Sequence, residues 1–167
     1  ALGGELPEAQ AGQYLTFRLP EAVRSYSLST SPGYRVSVKQ EPHGTVSRYL
    51  NNRLEPGAVL DVAAPRGDFV LDDGIGPVLL ISAGIGVTPV LSMLHQLAES
   101  RSDRDTWWLH GARGPREHSF AAEAHEASST ASATPCRKLP CSMMMIGAAR
   151  SRRAGTLGMS GGSAMLF

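Results

Sequence analysis

The stretch that decides the fold is Val78-Leu-Leu-Ile-Ser-Ala-Gly-Ile-Gly-Val-Thr-Pro89, which joins an apolar run to a glycine turn. Its first four residues predict a strand that is buried on both faces of a sheet. The two glycines predict a tight turn, after which Thr88 is expected as the N-cap and Pro89 as the first residue of a helix. A strand, a glycine turn and a helix in this order are typical of a parallel sheet that binds a nucleotide at the turn.

The residues beyond this turn continue the alternation of helix and strand. Five apolar residues recur at helical spacing: Val90, Leu91, Leu94, Leu97 and Ala98. Residues 106–109 then predict a second strand, and residues 115–126 a second helix. We therefore expect an α/β domain with a parallel sheet over residues 74–126.

The first seventy residues follow a different pattern. Strands are predicted at 14–19, 34–38 and 59–62, where β-branched and aromatic residues lie between Pro- and Gly-containing turns. Residues 47–54 predict one short helix, because Val46, Leu50 and Leu54 share a face. The expected product is an antiparallel sheet or small β-barrel with a covering helix, over residues 1–73.

Charge divides the chain unevenly. The 167 residues carry a formal net charge of +1, but all fifteen acidic residues precede residue 127, and residues 127–167 hold five basic residues only. These bases are scattered without interleaved aromatic residues, which argues against nucleic-acid binding. The uncharged stretch 75–94 is interrupted by glycine and proline, which argues against a membrane span. We expect a cytoplasmic protein without nucleic-acid or membrane partners.

The segment 127–167 shows no legible element. Ser128 to Thr134 is of low complexity, and a shift of reading frame near residue 127 would explain the break in composition. Cys136 and Cys141 have the spacing that opens one iron–sulfur ligand set, but the rest of the set is absent. Gly158-Met-Ser-Gly-Gly162 matches the nucleophile-elbow string of hydrolases, but no strand precedes it. No metal site is assigned.

Two motifs in the first half suggest a bound cofactor. In Arg24-Ser-Tyr-Ser27 the arginine suits a phosphate, the tyrosine a flat ring and the serine a ring nitrogen, although an edge strand with an exposed arginine is the simpler interpretation. Gly44-Thr-Val-Ser47 opens a helix whose amides and serine hydroxyl suit a pyrophosphate. The turn at 84–89 has a purely structural alternative too, as a tight link between strand and helix.

The order of five motifs resembles the ferredoxin-NADP reductase family. They are Gln13-Tyr14, Arg24-x-Tyr-Ser27, Gly44-x-Val-Ser47, Pro65-Arg-Gly-Asp-Phe69 and Gly84-Ile-Gly-Val-Thr-Pro89. The segments His110-Gly-Ala-Arg113 and Glu117-His-Ser-Phe120 are similar to its flavohaemoprotein-like or MOSC-linked reductase branch. The resemblance covers roughly residues 10–126.

The resemblance implies an FAD-binding β-barrel followed by an NAD(P)-binding α/β domain. Electrons would pass from NAD(P)H through FAD, less readily FMN, to a haem or [2Fe-2S] partner. Tyr26, Ser27 and Thr88 would be the catalytic residues. The implied cofactor-binding residues are Tyr14, Arg24, Ser25, Tyr26, Ser27, Gly44, Val46, Ser47, Gly84, Ile85, Gly86, Val87, Thr88 and Pro89.

The chain also departs from the family pattern. It begins directly before Gln13, where the family has an earlier strand, and the family's Cys-Gly-Pro segment has no counterpart. We therefore expect both domains to be incomplete at the chain ends. The alternative function is a non-catalytic remnant that binds flavin weakly or not at all. His95 is expected on the surface or half-buried, and His110 and His118 lack the third partner that a metal site needs.

Overall fold

The structure is a computed structural model and contains two sheets, each with its own helical cover. It describes residues 7–114, 117–130, 137–138, 143–146 and 163–165. Within those residues no helix has both the length and the apolar character needed to cross a membrane.

The first sheet is antiparallel, as the sequence predicts. Its strands β1 (Tyr14–Leu19), β2 (Ala22–Ser27) and β3 (Asp61–Val62) lie in the order β2-β1-β3. Leu15 and Phe17 alternate towards the interior of this half, where they pack with Leu28. Helix α1 (Thr45–Asn52) packs against β2 and begins two residues earlier than expected.

The predicted strand at 34–38 is reduced to a single bridge between Leu28 and Val36. Pro32 has no amide hydrogen and Gly33 has a φ of 115°, so the preceding residues form a turn rather than a continuous ladder. Ser29 still donates from its amide to the Arg35 carbonyl, over 2.8 Å. The segment therefore lies beside β2 without adding a full strand.

The second sheet has a parallel centre, which confirms the predicted fold class. β4 (Val78–Ala83) pairs in parallel with β5 (Thr106–Gly111) and with β8 (Ser163–Met165). At the other edge β7 (Met143–Ile146) runs antiparallel to β5 and pairs with β6 (Arg137–Lys138). The order of the five strands is β6-β7-β5-β4-β8.

The last three strands lie after Glu126, where the sequence shows no legible element. Short runs such as Met143–Ile146 carry neither alternation nor turn signals, so their strand character comes from pairing with the edge of β5. Cys136, Cys141 and the segment 158–162 lie outside the described residues.

The glycine turn leads into the helix differently from the sequence prediction. Residues Gly84–Gly86 form one 3₁₀ turn, and helix α2 (Val87–Glu99) follows it directly. Thr88 is therefore not the N-cap but lies inside the helix, where its hydroxyl donates to the Ile85 carbonyl over 3.2 Å. Because the amide of Val87 already bonds to the Gly84 carbonyl, the 3₁₀ turn replaces a side-chain cap.

Helix α3 (Ala121–Thr130) begins six residues later than predicted. Phe120 has a φ of 63°, a left-handed conformation that cannot continue a helix towards Glu117. Both α2 and α3 cover one face of the second sheet. The buried residues of this core are Val78, Leu80, Val87, Val90, Leu91, Met93, Leu94, Leu97, Trp108 and Ala124.

The two halves of the chain join where residues 11–12 enter this core. Ala11 is buried with the α2 residues, and the amide of Gly12 donates to the hydroxyl of Ser92 over 2.8 Å. Gly12 has a φ of 96°, and a Cβ there would lie 2.1 Å from the Phe69 carbonyl oxygen and 2.6 Å from the methyl group of Met93. Only glycine permits this approach.

We predict that Gly12→Ala lowers the free energy of unfolding by about 3 kcal/mol, because it adds a backbone clash to an unfavourable φ. Gly57→Ala is the matched control, since Gly57 has a φ of 90° but nothing within 4 Å of its Cβ position. The control is expected to cost only about 1 kcal/mol. Urea unfolding measures both values, and equal losses would show that the approach at Gly12 is not tight.

Candidate functional site

The residues of the first cofactor motif lie on β2 at the exposed edge of the first sheet. Tyr26 pairs with Leu15, and its ring meets the edge of the Phe17 ring with centroids 5.7 Å apart. Burial raises the pKa of Tyr26 and Arg24 lowers it, with burial the larger effect, so the phenol stays a hydrogen-bond donor. Arg24 is exposed and donates once, to the Val23 carbonyl over 2.8 Å.

The end of β2 adds a second donor. The hydroxyl of Ser27 has no hydrogen-bond partner among the described residues, whereas the neighbouring Ser25 hydroxyl lies 2.8 Å from that of Thr16. Tyr14 is directly opposite Ser27 in the β1–β2 register. Its ring packs over Gly67, where a Cβ would approach within 3.1 Å. Tyr14 and Ser27 therefore lie on one face at this end of the sheet, whereas the Tyr26 ring lies on the opposite face, against Phe17.

At the start of α1, the hydroxyl of Ser47 has hydrogen-bond partners within the protein, whereas the first backbone amides of the helix have no partner within the helix. Ser47 is buried, and its hydroxyl donates to the Gly44 carbonyl and accepts from the amide of Glu41, at 3.3 and 3.2 Å. The Ser47 hydroxyl is therefore used within the turn. A Cβ on Gly44 would lie 2.3 Å from that oxygen, which explains the glycine. No side chain caps the helix, so its first amides have no partner within the helix.

The glycine turn leaves open space above its backbone. A Cβ at either Gly84 or Gly86 would meet no atom within 4 Å. Thr88 is buried and Val87 fully so, which places both beneath the turn rather than on its open side. Ile85 projects outward with 58% of its surface exposed, an unusual position for an isoleucine.

The two halves face each other across a cavity of about 370 Å³. The first half contributes Ser37, Val38 and Lys39, and the turn contributes Gly84 and Ile85. The segment before α3 closes the third side with Glu117, Ser119 and Phe120. This volume is within the range of small-molecule sites, about 300–1,000 Å³.

Ser37, Val38, Lys39 and Phe120 line this cavity, although none of them is among the cofactor-binding residues that the family resemblance implies. The sequence of residues 34–38 predicts only a strand, and a strand pattern does not reveal which end of the strand lies near a distant turn. The proximity of Val38 and Ile85 is set by the joint at Gly12 and by the α2 contacts. A single-sequence pattern carries no signal for such a contact.

Buried polar groups support the turn from below. His110 is fully buried, and its Nδ1 lies 2.9 Å from the hydroxyl of Ser82, two residues before Gly84. That hydroxyl also accepts from the Trp108 indole over 2.8 Å. Burial lowers the pKa of His110, the nearby His118 lowers it further, and the bond to Ser82 raises it less. His110 is therefore a neutral histidine of the core.

A second polar cluster links the halves behind the cavity. His95, half-buried as expected, lies between the hydroxyl of Thr30, 3.0 Å from Nδ1, and the carboxylate of Glu123, 3.1 Å from Nε2. Arg35 binds the same carboxylate. Burial lowers the pKa of His95, while Glu123 raises it and Arg35 lowers it. One carboxylate thus connects the loop after β2 with α2 and α3.

Comparison with known proteins supports two functional units. Residues 6–71 match the oxidoreductase FAD-binding domain family, and residues 80–151 match the oxidoreductase NAD-binding domain family. The second match extends beyond Glu126. The chain belongs to the ferredoxin reductase-like family of FAD- and NAD-binding oxidoreductases.

Individual members of the family are similar over most of the described residues. The flavohemoprotein of Deinococcus radiodurans is 43% identical over 127 residues, covering 71% of this chain and 32% of that protein. The FAD/NAD-binding domain of nitric oxide dioxygenase from Vibrio cholerae superposes with a TM-score of 0.70 at 35% identity, covering 78% of this chain and 61% of the domain. Phthalate dioxygenase reductase superposes with a TM-score of 0.62 at 31% identity, covering 72% of this chain and 39% of that protein. This chain spans about a third of the length of the curated relatives that it matches.

The residues present fit both cofactors of this reductase family. On β2 the exposed Arg24 and the free Ser27 hydroxyl suit a flavin phosphate and ring, and the uncapped start of α1 suits a second phosphate. At the glycine turn, the open space above Gly84 and Gly86 is where a nucleotide backbone can approach closely.

The buried histidine gives a pH prediction. Because the folded-state pKa of His110 lies below the ordinary value of about 6.5, the unfolded chain binds a proton first as the pH falls. Its contribution to stability is therefore complete above about pH 6.5 and is lost as the pH falls through the folded-state value. His110→Asn, which can still accept from Ser82, should reduce this loss between pH 7 and 5.

Urea unfolding of both proteins across this pH range is the measurement. Some dependence of stability on pH should remain in the His110→Asn variant, because the pKa of His95 is lowered as well. Parallel curves for the two proteins would show that His110 does not titrate as proposed.

Proposed function

We propose that this chain is the reductase part of an electron-transfer flavoprotein, which takes hydride from NAD(P)H and delivers electrons to a haem or [2Fe-2S] partner. The observation that carries the proposal is the cavity in which residues of the FAD-binding half face the glycine turn of the NAD-binding half. A transfer between two cofactors requires that each half present its ligand to the same space.

Bound FAD supplies the chemistry, because it accepts two electrons as hydride and releases them singly. The protein orients and isolates the reacting groups. Tyr26 offers a ring beside β2, and the Ser27 hydroxyl can donate to a ring nitrogen. Arg24 provides charge-assisted bonds to phosphate. We propose catalytic roles for Tyr26 and Ser27 on this basis.

On the nicotinamide side, the neighbours of Thr88 are better placed to contact the cofactor than Thr88 itself. Because the Thr88 hydroxyl is bonded to the Ile85 carbonyl, we assign it to shaping the turn. The exposed side chain of Ile85 and the Val38 side chain offer apolar surface to a nicotinamide ring. Gly84 and Gly86 keep the approach open.

The haem and iron–sulfur alternatives follow from the relatives. A flavohemoprotein and a reductase described as passing electrons from pyridine nucleotides to [2Fe-2S] are both similar to this chain. We favour haem, because the flavohemoproteins match with the higher sequence identity. A cytoplasmic location is proposed as well, since the donor NAD(P)H is generated there.

We predict that Arg24→Gln weakens binding of both FAD and FMN about tenfold, because each carries the phosphate next to the ribityl chain. Arg18→Gln is the control. It removes an exposed guanidinium from the adjacent strand, 3.5 Å from Asp61, and should leave both affinities unchanged. Quenching of flavin fluorescence gives the dissociation constants. An unchanged affinity in Arg24→Gln would remove this residue from the site.

We predict that Gly86→Val slows reduction of bound FAD by NADH about tenfold and leaves FAD affinity unchanged. Gly86 has a φ of −63° and open space at its Cβ position, so the variant should fold while its side chain occupies the nucleotide approach. Stopped-flow absorbance of the flavin measures the rate.

The proposed function is tested directly on the unmodified chain. Purified with FAD it should be yellow, be bleached by NADH without oxygen, and reduce ferricyanide. A folded chain that retains no flavin, or whose flavin NADH cannot reduce, would refute the function.

A further inference from the structure

The charged cluster behind the cavity has one member on each of the three elements that form the cavity walls. His95 lies on α2, the helix that follows the glycine turn, and Glu123 lies in the first turn of α3, three residues after Phe120. Arg35 lies two residues before Ser37, in the segment that forms the wall of the first half. We call His95, Glu123 and Arg35 the carboxylate clamp.

The Arg35 side chain is fixed within the first half. Its Nε donates to the hydroxyl of Ser29 over 3.1 Å, and its Nη2 donates to the Ser29 carbonyl and to the carboxylate of Glu123. Ser29 is fully buried, and its hydroxyl lies 2.8 Å from the hydroxyl of Ser37. The guanidinium and the cavity wall at Ser37 are therefore held by the same buried residue.

The Glu123 side chain joins the other two walls to this arginine. Its Oε1 atom accepts from Arg35 and lies 3.1 Å from Nε2 of His95. The second ring nitrogen of His95 lies 3.0 Å from the hydroxyl of Thr30, which belongs to the first half. The carbonyl of Phe120 accepts from the amide of Ala124 over 2.8 Å, so this wall residue is fixed to the helical turn that carries Glu123.

Such a network is stronger than an isolated ion pair on a surface. An isolated pair contributes little, because two long side chains lose conformational freedom when they are held in one geometry. Here Ser29 already orders Arg35, so little further entropy is lost when Arg35 binds Glu123. The side chains of Glu123 and His95 keep only 31% and 17% of their surface exposed, so water screens the contact less than on an open surface.

The width of the cavity matters for transfer between two cofactors. Reacting atoms must lie about 3–3.5 Å apart, and a displacement of about 1 Å can slow a reaction about a hundredfold. The joint at Gly12 acts on α2, whereas the carboxylate clamp acts on α3 as well. The clamp therefore fixes the distance of Phe120 and Ile85 from the wall of the first half.

We propose that Glu123 is a positioning residue for hydride transfer, which sets the distance between the nicotinamide and flavin rings by binding Arg35 and His95 together. This inference rests on the proposed function. Glu123 is not among the residues that line the cavity. Its removal should therefore change the rate of transfer rather than the affinity for either cofactor.

The first test is stopped-flow reduction of the FAD-loaded 167-residue chain by NADH. Glu123→Ala should lower the limiting rate about tenfold, while the half-saturating NADH concentration and the FAD dissociation constant change less than about twofold. Glu123→Gln should keep most of the rate, because its amide oxygen can still accept from both partners. His125→Ala, exposed on the same helix, is the control and should leave all three quantities unchanged.

A second readout does not depend on turnover. NAD⁺ bound beside reduced FAD gives a long-wavelength charge-transfer absorbance only when the two rings stack closely. At saturating NAD⁺ this absorbance should fall at least about threefold in Glu123→Ala and persist in Glu123→Gln.

Arg35→Gln tests the same contact from the other half, and it replaces Glu123→Ala should that variant not fold. It should slow FAD reduction to a similar degree. Adding Glu123→Ala to Arg35→Gln should slow the reaction little further, because the two residues act through one contact.

The outcomes separate this inference from the proposed function. Clamp variants that keep the full rate and absorbance, that lose rate additively, or that lose FAD or NADH affinity instead would overturn the positioning role and leave the flavin function standing. A folded wild type whose flavin NADH cannot reduce would overturn both.

Discussion

The close approach of Gly12 to Met93 and Ser92 of α2 is the constraint on which the relative position of the two halves depends. The approach brings the segment before β1 against α2, and the hydrogen bond from the Gly12 amide to Ser92 fixes its position. The cluster of His95, Glu123 and Arg35 holds the same two halves together further along α2. Between these two contacts, the loop around Val38 and the turn at Gly84 lie on opposite sides of one cavity.

Helices α1 and α2 begin in a similar way. Neither α1 nor α2 has a side-chain cap, since each begins after a glycine and leaves its first amides to other acceptors. A serine or aspartate cap would stabilise the isolated helix but would occupy the same donors. At α2 the 3₁₀ turn supplies local bonds instead, and at α1 the buried Ser47 hydroxyl stabilises the preceding turn.

Sequence patterns identified the parts of this structure whose determinants are local. The run from Val78 to Ile81 gave a strand, and the two glycines gave a turn, because both follow from steric rules within a few residues. Helix boundaries were less predictable. Threonine is a favoured residue at the N-cap, yet α2 begins at Val87, before Thr88, because the 3₁₀ turn leads directly into the helix. Similarly, α3 begins only after Phe120, which has a left-handed backbone conformation. No residue preference predicts this conformation for a phenylalanine.

The amino-acid sequence by itself determined the two fold types, their order and the motifs that a flavin and a nicotinamide nucleotide need. Its periodicity and glycine positions act over short distances, which is why these features could be derived from one chain. Only the tertiary structure decided that Val38 and Ile85 line one cavity and that strands follow Glu126. Those outcomes depend on packing between residues far apart in the chain, where the position of each is set by all the others.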